Sequence, residues 1–144
     1  MPETPPNPKR RMTPLELIVI ILIGASLLAV AGVIIYTQQR KGADDDAKSS
    51  LRAASNAIDK YRQQNGSFVG VSLVRLRKIE PNLPKTLQDP IVAGDSYSLA
   101  ILSKTGVTYR ISHEANGRVT RTCVVPPGGE KGACAANKFG VGTW

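Results

Sequence analysis

The chain of 144 residues has little with which to do chemistry: one histidine, two cysteines and one tryptophan. No histidine or cysteine pair lies at metal-ligand spacing, so a zinc or iron centre has no ligand set. Ser112, His113 and Glu114 stand side by side, but neighbours on a strand point to opposite faces and cannot form a proton relay. His113 falls between a strand and an Asn-Gly turn, where a solvated residue is expected. A glycine-rich phosphate loop is missing. Asp44, Asp45 and Asp46 make an acidic run without the spaced oxygen ligands and glycine of a calcium loop, and a solvated start to the soluble half of a helix is expected there. No constellation meets the requirements of a catalytic site, so the expectation is a non-enzymatic protein with no cofactor and no metal.

What is present begins with one long apolar run. From Leu15 to Tyr36 only Glu16 and Ser26 interrupt it, and about 20 such residues cross a bilayer as a helix. A membrane-spanning helix is therefore expected. Lys9, Arg10 and Arg11 precede the run and lean towards a cytoplasmic N-terminus. The leader MPETPPNPKR has no apolar side chain to pack, and disorder is expected there. No residue from Leu15 to Asn65 is proline, so the helix is expected to continue as far as Asn65-Gly66, a left-handed stop signal. Ala47, Leu51, Ala54, Ile58 and Tyr61 recur at steps of 4, 3, 4 and 3, which gives its second half an amphipathic stripe.

Beyond it, Ser72 precedes Leu73, Leu76 and Ile79 at helical spacing, and Pro81 ends the run: a short capped helix in a connecting loop. The period then changes. Tyr97, Leu99 and Ile101 alternate with smaller or polar residues, as do Val107, Tyr109 and Ile111, with turns at Thr105-Gly106 and Asn116-Gly117 and a third run at RVTRTCVV. An antiparallel three-stranded meander follows, with either Val119 and Cys123 or Thr120, Thr122 and Val124 facing inward on the third strand. The tail AANKFGVGTW reads as loop, its Phe139 and Trp144 available to cover the edge of a small core. Cys123 and Cys134 enclose a short loop, and a disulfide is the better reading than two unpaired thiols in a cytosolic domain. Such a bond would contribute about 3 kcal/mol. A sheet this small needs the helix stripe to cover its apolar face.

MTPLELIVIILIG resembles the N-terminal segment of type IV pilins and type II secretion pseudopilins, whose mature chains start with an aromatic residue or Met, then Thr or Ser, and carry Glu fifth in an apolar helix. With Met12 first, Glu16 is fifth. AASNAIDKYRQQNGSF is similar to the family's close of the long helix, and the meander and disulfide match the layout of many pilin heads. The resemblance implies a processing site between Arg11 and Met12, although Arg11 stands where the family has Gly. It also implies that Glu16 sets the register of assembly by meeting the N-terminal amine of a neighbour. Without cleavage, Arg10 or Arg11 of an uncut neighbour is the candidate partner. Beside this stands a local reading: Thr13-Pro14-Leu15-Glu16 is a capping box that needs no partner.

The implied fold is α+β: a single long N-terminal helix, membrane-spanning in its first half, packed on a small antiparallel three-stranded sheet. The domains are a basic cytoplasmic leader (1–11), a transmembrane helix half (12–37), the soluble half (38–65), a connecting loop with a short helix (66–95), and the sheet with its disulfide-closed loop (96–144). The implied function is a structural subunit, whether pilin, minor pilin or pseudopilin, in a surface filament or secretion pseudopilus. Its implied partners are other pilin-like subunits, the membrane, an assembly ATPase, a platform protein and a prepilin peptidase. The expected location is single-pass in the cell membrane, head outside. A rival processing reading takes Ala29-Val30-Ala31 before Gly32 as a signal-peptide cut, which would leave a secreted binding module. Nineteen Lys and Arg against eleven Asp and Glu leave a basic head in which Arg75, Arg77, Lys78, Arg118 and Arg121 are candidate polyanion contacts. DNA is the less favoured partner, since no aromatic residues interleave with them to stack bases.

Overall fold

The structure, a computed structural model, describes residues 13–144, without the side chains of 29–37 and 39–41. The chain divides into two compact units, with the boundary between Thr37 and Gln38. Helix α1 is assigned over Pro14–Asn65. Its described side chains fall in two stretches, 14–28 in the first unit and 42–65, with Gln38, in the second.

In the first unit the helix carries large apolar side chains in every direction. Leu15, Leu17, Ile18, Val19, Ile20, Ile21, Leu22, Ile23, Leu27 and Leu28 are all exposed. No helix among the described residues is long and apolar enough to cross a membrane. That corrects the expected transmembrane half and the single-pass placement. The side chains of 29–37, with the Ala29-Val30-Ala31 motif, lie outside the described ones. The leader, Arg11 and Met12 lie outside the described residues altogether.

The second unit is built on the stripe. Ala47, Leu51, Ala54, Ala57, Ile58 and Tyr61 are buried, because steps of 3 and 4 keep them on one helix face. The helix stops at Asn65, where Gly66 adopts a φ of 74° and its N–H donates to the Arg62 carbonyl at 2.7 Å. Such a left-handed cap costs glycine little. Helix α2, Leu73–Ile79, starts at Ser72, whose hydroxyl accepts from the Arg75 N–H, and buries Leu76.

The sheet has six antiparallel strands: β1 Ile91–Ala93, β2 Ser96–Leu102, β3 Thr108–His113, β4 Val119–Val124, β5 Ala135–Ala136 and β6 Val141–Thr143. Their order is β1-β2-β3-β4-β6-β5. The expectation of three strands is thereby corrected. The central three supply the core face through Tyr97, Leu99, Ile101, Tyr109, Ile111 and Cys123, in one apolar cluster with the α1 stripe. The additional strands have two or three residues each, too few for an alternation of period two to show. The segment read as a loop-like tail supplies two of them. Strand β6 pairs with β4 through Thr122↔Thr143, Cys123↔Gly142 and Val124↔Val141. On β4 only Cys123 is buried, opposite Tyr109, while Val119 and Val124 are both exposed.

Candidate assembly site

The N-terminal end of α1 is the first candidate. The Thr13 N–H donates to Glu16 Oε2 at 2.9 Å, and the Glu16 N–H donates to Thr13 Oγ1 at 3.3 Å. Two of the free N–H groups at a helix start are thus satisfied reciprocally, and the carboxylate sits where the helix dipole favours negative charge. Glu16 remains exposed, so capping leaves the carboxylate open to a second partner. Behind it, Ser26 turns its hydroxyl onto the Ile23 carbonyl at 2.8 Å. The segment therefore shows solvent an almost wholly hydrocarbon surface, with the carboxylate at its mouth. The processing site, Arg11 and Met12, lies outside the described residues.

The second unit holds a polar feature that sequence reasoning missed. Asp44 is fully buried, which corrects the expectation of a solvated run at that position, whereas Asp45 and Asp46 are exposed. Its Oδ1 accepts from Ser103 Oγ at 2.6 Å and from Thr105 Oγ1 at 2.5 Å, and its Oδ2 accepts from the Ala133 N–H at 2.9 Å. One carboxylate thus ties α1 to the β2–β3 turn and to the loop closed by the disulfide. Burial pushes the Asp44 pKa up, but the hydrogen bonds from Ser103, Thr105 and Ala133 outweigh it and hold the group below the ordinary carboxylate value. Lys48 Nζ completes the grip by donating to the Ala133 carbonyl at 3.2 Å. It lies 3.6 Å from Asp45. The Tyr109 phenol is close enough to Asp44 to feel its charge, yet its oxygen makes no hydrogen bond of good geometry. Burial, then that charge, pushes its pKa well above the ordinary value.

Cys123 and Cys134 are joined, with Cα atoms 5.8 Å apart, so the 123–134 loop is pinned by the bond at its ends and by Asp44 at Ala133. A signal for Asp44 did exist. It lies three residues before Ala47 and so continues the apolar stripe by one step.

His113 also departs from expectation. It pairs with Tyr97 across β2–β3, stacks on that ring at 5.3 Å between centroids, and meets Phe68 edge-on at 5.7 Å. Its Nδ1 is buried without a partner. It is part of an aromatic cluster, not a solvated turn.

The five candidate polyanion contacts stand on two elements. Arg75, Arg77 and Lys78 belong to α2, and Arg118 and Arg121 stand at and in β4. Arg75 is spent on the Tyr61 hydroxyl at 2.6 Å and Arg77 on the Pro84 carbonyl at 3.4 Å. Arg121 lies 6.0 Å from the Trp144 ring centre, and Arg75, Lys78, Arg118 and Arg121 are all exposed.

Comparison with protein-family models, with curated proteins and with solved structures finds no match to this chain.

Proposed function

We propose that the chain is a non-enzymatic structural subunit of pilin type, which assembles with copies of itself or with similar subunits through its N-terminal helix into a filament or secretion pseudopilus. One observation carries the reading: the ten large apolar side chains between Leu15 and Leu28 are exposed all around the helix. A helix that packs on its own domain is apolar on one stripe. One apolar all round needs neighbours on all sides, and parallel copies of the same helix supply them. In that bundle the Glu16 carboxylate loses water, and an unpaired charge costs several kcal/mol. A cationic group of a neighbour, the amine of Met12 after processing or Arg10 or Arg11 of an uncut chain, fixes one axial register. An assembly ATPase and a platform protein are the machinery such a subunit uses.

Glu16→Gln tests this cleanly. Glutamine serves the capping box as well as glutamate does, so the helix start survives and only the charge is lost. The expected result is at least a tenfold fall in filaments recovered by shearing and sedimentation from the host, with the thermal unfolding of the head unchanged. Filaments of normal yield and length from the Gln variant would sink the reading.

A further inference from the structure

The head carries a second exposed apolar surface, far along the sequence from the N-terminal helix. Leu102, Thr108, Val124 and Val141 stand in one row across four strands. They lie on the face opposite Ile101, Tyr109 and Cys123, which are buried. Leu102, Val124 and Val141 are each nearly half exposed, and Phe139 beside them is 76% exposed. The row runs into a cleft of about 560 Å³ whose walls include Pro126, Pro127 and Phe139. The backbone that carries Phe139 is pinned. Asn137 Oδ1 accepts from the N–H groups of Phe139 and Val141 at 2.9 and 3.2 Å, and the Val125 N–H donates to the Gly140 carbonyl at 2.8 Å. A hydrogen-bonded turn therefore presents an aromatic side chain to water, which folding alone does not call for.

The surroundings of the patch are cationic. Lys131 and Lys138 line the cleft, with the Lys138 ammonium 5.0 Å from the Phe139 ring centre. Lys104, on the β2–β3 turn, lines a separate cleft together with Asp46. No carboxylate is among the cleft-lining residues, and Glu130 in the same loop has a contact of its own.

We propose that this face is a docking surface for a different protein, one that presents apolar side chains flanked by carboxylates. The charge complement selects that occupant. Pairing the face with itself in a second copy would bring Lys131 and Lys138 of both copies together, so like-charge repulsion opposes self-contact here. An apolar partner ringed by Asp and Glu satisfies the row, the ring and the lysines at once. The proposal stands on residues 102–141 and is independent of how the N-terminal helix assembles.

The test uses the full chain in mild detergent and a fluorescein-labelled peptide, Asp-Leu-Asp-Phe-Asp-Leu-Asp, with the same peptide bearing Lys for Asp as control. Fluorescence anisotropy should show the acidic peptide binding at least tenfold more tightly than the basic one. Phe139→Ala and the pair Lys131→Glu with Lys138→Glu should each weaken it at least tenfold, and Arg75→Glu with Arg77→Glu should leave it unchanged. Loss of binding in the Arg75/Arg77 variant alone, equal binding to all variants, or no binding at millimolar peptide overturns the proposal. So does sedimentation showing that the chain self-associates and that Phe139→Ala abolishes it, for the face would then join copies of this chain.

Discussion

Residues 15–28 and the head from Gln38 to Trp144 solve the problem of apolar surface in opposite ways. In the first, ten large apolar side chains are exposed in every direction and the polar contacts sit at the cap and at Ser26. In the second, the apolar positions of α1 recur on one face, the sheet covers them, and a buried carboxylate joins the turn and the disulfide loop to the helix. The head completes its own core, while the described apolar side chains of residues 15–28 stay exposed, and it is the proposed assembly that would cover them. Stability and assembly should therefore respond to different residues.

The largest expected effect on stability is at Asp44. Asn is nearly isosteric, but it loses the charge that strengthens two hydroxyl bonds, and its amide faces the Ala133 N–H or a hydroxyl with the wrong polarity. Hydrogen bonds to charged groups are worth about 1.5 to 3 kcal/mol each, so Asp44→Asn should destabilise the head by about 3 kcal/mol, measured by urea unfolding of the oxidised protein. The pH dependence has a definite sign. Because the folded pKa lies below the ordinary value of 3.8, the stability this group contributes is fully present above that value and is lost as pH falls through the lower folded pKa. The Asn variant should lack that part of the acid-induced loss. A variant with wild-type stability and wild-type acid sensitivity would mean that the carboxylate is only a bystander in the head.

Gly132→Ala comes next. Gly132 has a φ of 52°, and a Cβ there would run into Asp44 Oδ2. The side chain both occupies the wrong backbone region and displaces the clasp, at a cost of about 1 to 3 kcal/mol. In a double variant with Asp44→Asn the two losses should fall short of additive, since both act on one network. Full additivity in a double-mutant cycle would show that the loop and the carboxylate are not coupled.

Much of the head was legible because its signals are local. The α1 stripe, the Asn65-Gly66 stop, the Ser72 cap and the turns at Gly106 and Gly117 are each written in a few neighbouring residues. Asp44 was not, since its partners Ser103, Thr105 and Ala133 lie 59, 61 and 89 residues away, and three aspartates in a row look alike until the register of α1 is known. Strands β1, β5 and β6 escaped notice because two or three residues have no period. His113 was misread as a turn residue because only the Tyr97↔His113 register reveals its stacking. The expected membrane span rests on counting apolar letters from Leu15 to Tyr36, whereas no helix among the described residues is long and apolar enough to cross a membrane. The capping box at Glu16 was legible in sequence as a pattern, but the pattern alone leaves open whether its charge has a further use.

The smallest expected effect on the head sharpens the comparison most. Leu22 is 64% exposed, so Leu22→Ala removes almost no buried area within the chain. Head stability should change by less than about 0.5 kcal/mol, the usual range for surface positions. In a bundle of copies the same truncation leaves a cavity, and large-to-small changes in a packed core cost about 2 to 5 kcal/mol. Filament yield should therefore drop while the unfolding curve of the dispersed protein stays where it is. A leucine whose loss moved the unfolding curve by 2 kcal/mol would belong to the chain's own core, and the division between a self-sufficient head and a helix completed by its neighbours would not stand.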